Sequence, residues 1–226
     1  MKALKTKICS YAIALLVSAG FSTPTYAGSS DFAGIFVAGH AEMNVVAISG
    51  TFTDSDGNRS EGVAGGYAPT AGWEAGFNFP LGPNFFITAG YAYGGGDSGK
   101  IATARPNGAD ATNAADVSLH ADSPEWYYIA PSISIFDNSA IYVKIGQADA
   151  NLKAIGSVTG TPNNISGDMW GIGTTTIADN GLFIKTEAGA IQYEQFKITG
   201  IGGTTTSTVE GDPLVGYGHV SIGYKF

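Results

Sequence analysis

Apolar and polar residues alternate along much of this chain with a period of two, the repeat of a β-strand that has one apolar side. The last eight residues, HVSIGYKF, show it most plainly. Val220, Ile222, Tyr224 and Phe226 share one face, while His219, Ser221, Gly223 and Lys225 share the other. Domain ends usually fray, so a terminal strand whose last residue completes the apolar row needs a pairing partner.

Seven further strands follow from the same pattern. The first spans Ala33 to Ala47, with Ile35, Val37, Ala41, Met43 and Val45 opposing His40, Glu42 and Asn44. The second, Thr70 to Phe79, sets Trp73, Ala75, Phe77 and Phe79 against Glu74 and Asn78. Phe85 to Tyr93 aligns Ile87, Ala89, Tyr91 and Tyr93. Trp126 to Phe136 aligns Tyr127, Ile129, Ile133 and Ile135 against Ser132 and Ser134. Ala140 to Ala148 sets Ile141, Val143 and Ile145 against Tyr142 and Lys144. In Met169 to Ala178, Gly and Thr leave the two faces undistinguished. Leu182 to Tyr193 opposes Leu182, Ile184, Ala188 and Ala190 to Lys185 and Glu187.

The connections alternate in length. Pro80 to Asn84, Asp137 to Ser139 and Asp179 to Gly181 are tight turns of Gly, Pro, Asn and Asp. The stretches 50–69, 94–124, 149–168 and 196–213 are long and polar. Short turns at one rim, long loops at the other and an even strand count are the signature of an antiparallel up-and-down transmembrane β-barrel of eight strands, with short periplasmic turns and long extracellular loops.

Two bulk features fit this reading. Residues 1–27 form a signal peptide, with Lys2, Lys5 and Lys7 ahead of the apolar run from Ile8 to Phe21 and a small-residue cleavage site at Thr25-Tyr26-Ala27. The run is too short to span a bilayer as a helix, and Cys9, the only cysteine, leaves with it. The barrel domain is then 28–226, without a disulfide framework or thiolate metal site. Loss of three lysines takes the formal net charge from −8 to −11, which argues against nucleic-acid binding.

The polar face is mostly Gly, Ser, Thr and Asn with few charges, which suits a narrow filled lumen rather than a wet exterior. The apolar face therefore meets lipid. Its aromatics gather toward strand ends: Phe79, Phe85, Tyr224 and Phe226 at the turn rim, Tyr91, Tyr93 and Tyr127 at the loop rim.

The C-terminal strand ending GYKF resembles the segment by which outer-membrane barrels are recognised for insertion. Together with AIYVKIGQA (140–148) and MWGIGTTT (169–176), it makes the whole chain after the leader similar to the outer membrane protein A-like and opacity-protein (porin-like) group. The resemblance implies Gram-negative outer-membrane location, contact with outer-membrane lipid and lipopolysaccharide, insertion by the barrel assembly machinery through Val220, Ile222, Tyr224 and Phe226, and a monomer. No periplasmic peptidoglycan-binding domain follows strand eight, so peptidoglycan anchoring is not carried over.

Candidate chemistry concentrates in the lumen. Counted from the turns, Glu74, Lys144, Lys185 and Glu187 point inward at similar heights, and buried charges must pair. They form either a structural plug or a gate that exchanges partners, with Glu42 and His40 extending the network to the first strand. His219-Val220-Ser221 is similar to the His and Ser of outer-membrane lipid A deacylases. The Phe226 row puts both residues inside, however, and no acidic residue follows the motif, so no enzyme and no catalytic residue is expected. Asp54-Ser55-Asp56-Gly57-Asn58 has the wrong Gly position for a calcium loop and reads as a turn. No cofactor and no defined metal site is expected, only diffuse association of divalent cations with the acidic loops. The function expected is that of a structural, surface-exposed barrel with at most a narrow pore. The alternatives are passive transport of a small or apolar solute, and adhesion or ligand binding through the loops, above all 94–124.

Overall fold

The computed structural model describes residues 28–95, 97–104, 117–136, 138–160, 164–201 and 206–226, so the leader predicted over 1–27 lies outside the described residues. Among the described residues a one-turn helix, α1 (Ser29–Phe32), precedes ten strands. These are β1 (Gly34–Thr53), β2 (Arg59–Pro80), β3 (Phe85–Gly95), β4 (Asp97–Ala104), β5 (Val117–Phe136), β6 (Ser139–Ile155), β7 (Asn164–Ile177), β8 (Leu182–Tyr193), β9 (Phe196–Thr199) and β10 (Thr208–Lys225).

All pairings are antiparallel. The ring runs β1-β2-β3-β5-β6-β7-β8-β10 and closes through β10 on β1. β4 pairs with the start of β5, and β9 with the start of β10, as upper continuations of β3 and β8. Ten strands therefore make eight staves. Closure is long, from Phe36↔Lys225 to Thr53↔Thr208, and the Phe226 amide donates to the Ile35 carbonyl at 2.9 Å. A barrel leaves no backbone edge unpaired, which hydrocarbon demands.

The outer face carries the apolar stripes. Ile35, Val37, Met43, Ile129, Ile184 and Val220 are exposed there, with Ile222 62 % and Phe226 72 % exposed. At the loop end Trp73, Tyr91, Tyr93 and Tyr127 stack with centroids 5.0–6.3 Å apart; at the turn end Phe77 meets Phe79, and Tyr224 meets Phe226. Ile133 keeps its outward parity but is only 8 % exposed, flanked on both neighbouring strands by Phe85 and Ile141. In β7, Trp170 and Ile172 turn out while Met169 turns in, which separates the faces that Gly and Thr obscure.

The three tight turns stand where the sequence puts them, although Asp137 lies outside the described residues. The long loops differ. Most of 50–69, 94–124, 149–168 and 196–213 is strand, which carries the wall well past the aromatic girdle, and 105–116, 161–163 and 202–205 lie outside the described residues. The reason is a reversal of pattern. Beyond the girdle the outside is polar and the inside apolar, so a search for one lipid-facing stripe stops at the membrane.

β1 displays the interior in three tiers. Phe36 and Ala38 come first, then His40, Glu42 and Asn44, then Val46 and Ile48, all buried. Around the ring, Phe32, Phe36, Phe86, Ile177 and Phe183 form an aromatic stopper at the turn end, and a larger apolar cluster fills the loop end. α1 corks the stopper. Phe32 stacks on Phe86 at 4.9 Å, Asn78 Nδ2 donates to the Phe32 carbonyl, and Lys225 Nζ donates to the Asp31 carbonyl.

Candidate functional site

The middle tier gathers charged and imidazole side chains from five strands, β1, β2, β6, β8 and β10, into one buried knot. Lys185 on β8 bridges the lumen to Glu74 on β2 at 3.1 Å, and Lys144 on β6 pairs with Glu187 on β8 at 3.0 Å. The four charges placed together by sequence thus sit together as two ion pairs. Each carboxylate is completed by tyrosine hydroxyls. Tyr128 donates to Glu74 at 3.0 Å, and Tyr142 and Tyr217 donate to Glu187 at 2.9 and 2.7 Å. Cation–π contacts hold the ammoniums, with Lys144 Nζ 4.3 Å from the Tyr128 ring centroid and Lys185 Nζ 4.1 Å from that of Phe36. Hydrogen bonds that fill the remaining lone pairs are what make a buried pair tolerable.

Of these tyrosines the alternation places only Tyr142 on the inner face, beside Lys144; Tyr128 and Tyr217 are not singled out by a face that reads as small and polar. One signal for them exists. Tyr128 lies opposite Gly90, Tyr142 opposite Gly173 and Tyr217 opposite Gly189 on adjacent strands. A Cβ on Gly173 would stand 2.5 Å from Cζ of Tyr142, and one on Gly189 2.6 Å from Cζ of Tyr217. Glycine at these points lets each ring lie against the wall and aim its hydroxyl at the carboxylate.

Glu42 and His40 join the knot differently. Glu42 Oε2 lies 3.2 Å from His219 Nδ1, and His219 Nε2 lies 2.6 Å from Ser221 Oγ. His40 packs its ring 4.8 Å from His219 and 5.7 Å from Trp126, and neither of its nitrogens has a hydrogen-bond partner among the described residues. The acidic member that no residue after Ser221 could supply therefore comes from β1, before it in the chain. The resulting Ser-His-Glu line has the order of a nucleophile relay. Ser221, however, is 0 % exposed, so its Oγ is presented to neither lipid nor solvent.

Above the knot lies an apolar chamber of about 50 Å³, walled by Val46, Ile48, Ile101, Leu152, Ile165 and Val215, with Glu42, Asn44, Thr70 and Trp126 at its lower side. A second cavity of about 220 Å³ begins at Ile48 and continues toward the loop tips, past Phe52, Leu119 and Phe196. The sequence predicts neither, because part of each wall, including Ile101, Leu152 and Ile165 in the chamber and Phe52, Leu119 and Phe196 above it, lies in stretches that read as loops.

The Asp54 segment is a turn. The Asp54 carboxylate accepts from the Asn58 side chain at 3.0 Å and from the amides of Asn58 and Asp56, and the Asn58 side chain above all holds its pKa below the usual carboxylate value. Among the described residues no group of three His, Cys, Asp or Glu is placed to hold a metal ion.

No protein-family profile matches the chain, and no curated protein matches it by sequence. Solved structures do. The outer membrane protein OprG of Pseudomonas aeruginosa superposes with a TM-score of 0.59 at 11 % identity, covering 89 % of this chain and 99 % of OprG. The outer membrane protein AlkL, determined by solid-state NMR in lipid bilayers, gives 0.50 at 15 % identity over 91 % and 94 %. The outer membrane protease OmpT of Escherichia coli gives 0.43 at 9 % identity over 91 % and 100 %. The chain has the fold of the Gram-negative outer-membrane β-barrels, and its closed ring, lipid-facing stripes and aromatic girdles place it in that membrane.

Proposed function

We propose that this chain is a surface-exposed outer-membrane barrel, closed to ions along its axis, whose loop-side chamber takes up small apolar solutes. The observation that carries this reading is the three-tier interior. An aromatic stopper and two buried Lys–Glu ion pairs occupy the axis below, and a cavity with almost wholly apolar walls lies above. A structural plug alone gives no reason for the second part, since the upper wall would be as stable if side chains filled it.

The test has two arms. In planar bilayers the protein should give no single-channel steps, and n-pentane added to protein in lipid nanodiscs should shift the methyl resonances of Ile48, Ile101 and Leu152. Ohmic steps from the unaltered protein would remove the closed-axis reading. Methyls that ignore pentane would remove the solute reading.

A further inference from the structure

Resting on that reading of the chamber, we infer that its preferred occupant is a short apolar molecule ending in a hydroxyl group. Two buried polar atoms on residues that line the chamber have no hydrogen-bond partner among the described residues: Glu42 Oε1 and Trp126 Nε1. Such atoms are rare inside folded proteins and call for a reason. Neither can find relief by turning away. The other oxygen of Glu42 is held by His219, and the Trp126 ring is wedged edge-on against His40. The amide of Asn44 on the same side is already engaged, since its Nδ2 donates to the Ala68 carbonyl and to Thr70 Oγ1.

The two atoms have opposite needs. A carboxylate oxygen only accepts, and an indole N–H only donates. A hydroxyl serves both at once, giving its proton to Glu42 Oε1 and receiving one from Trp126 Nε1. An ammonium cannot accept, an ether or ketone cannot donate, a carboxylate meets Glu42 as a like charge, and a hydrocarbon answers neither atom. Size sets the rest. A volume of about 50 Å³ holds roughly four water-sized groups, enough for a short alkyl chain, and a longer tail has the cavity above Ile48 to enter.

The experiment titrates the protein in nanodiscs with three probes of equal heavy-atom count: 1-butanol, 1-methoxypropane and n-pentane. Partition into protein-free nanodiscs is subtracted, and the Trp126 indole N–H resonance is followed. Butanol is expected to bind about tenfold more tightly than pentane, the worth of one or two net hydrogen bonds, with methoxypropane weaker than butanol. Butanol should shift the Trp126 N–H signal, and Trp126→Phe should shrink the butanol advantage severalfold. Heat-modifiable migration shows that the variant is folded. Equal affinities for butanol and pentane, an unmoved indole signal, or an advantage that survives Trp126→Phe would each overturn hydroxyl recognition while leaving apolar uptake standing. If no probe binds, both readings fall.

Discussion

Replacing Lys144 by Met isolates the energetics of the charge knot. The ammonium disappears, the chain length and apolar stem remain, and Glu187 keeps its carboxylate in a site where both side chains are under 5 % exposed. Stranding one member of a buried pair costs about 3–5 kcal/mol. Tyr142 and Tyr217 still donate to Glu187, so the lower end applies: about 3 kcal/mol, roughly 150-fold in the unfolding equilibrium. Adding Glu187→Gln removes the stranded charge but keeps an amide oxygen for Tyr142 and Tyr217, and the double variant should recover most of that loss. Reversible urea unfolding from lipid vesicles, read by tryptophan fluorescence, measures all three. If Lys144→Met alone costs under about 1 kcal/mol, or if the double variant is as unstable as the sum of its parts, the pair does not occupy the dry, enclosed site described.

Other expectations follow from the same tiers. Lys144→Ala together with Lys185→Ala removes both cations from the axis, and conductance steps absent from the parent should then appear in planar bilayers; a silent double variant would assign closure to the Phe32–Phe86 stopper alone. Gly173→Ala should push Tyr142 off Glu187 and cost about 1–3 kcal/mol as overpacking, seen as a lower urea midpoint, whereas Gly62→Ala meets open space and should leave the midpoint unchanged. Phe36→Ala, at a 1 % exposed position under the Lys185 ammonium, should cost about 3–5 kcal/mol. The Asp54 carboxyl should titrate by NMR below the usual aspartate range. Because its folded value is lowered, the order that it lends the 54–58 turn is present above the ordinary value and lost as pH falls through the lowered one; Asp54→Asn should abolish that transition.

Where lipid touches the wall, the sequence is transparent. Hydrocarbon enforces one apolar residue in two, and β8 can be read end to end as Leu182–Tyr193 on that rule. Past the girdle the constraint changes sign. Val46 and Ile48 continue β1 on the inner parity, but their outer neighbours Ser49 and Thr51 look like loop residues, and the strand seems to stop. Inside the membrane, Glu74, Lys144, Lys185 and Glu187 are legible because a charge on a barrel strand has only one direction to point. Which lysine meets which carboxylate is not legible, since Lys185 and Glu74 lie 111 residues apart and their meeting depends on the curvature of the closed ring. Tyr128 and Tyr217 escape notice because an inward tyrosine and a girdle tyrosine differ only in parity, and Tyr142, legible as inward, shows no partner until the ring closes. The chamber escapes because an unfilled volume has no residue of its own.

The reach of Lys185 across the lumen to Glu74 also bears on how the protein counts its own strands. A sheet of alternating residues could curl shut with one stave too few, or with a stave slipped by two, and its outside would look the same to lipid. In either miscount the ammonium and the carboxylate would face strangers, and an unmatched charge would sit in a space that water cannot enter. The knot thus works as a checksum on assembly, which only the ring of correct number and stagger satisfies.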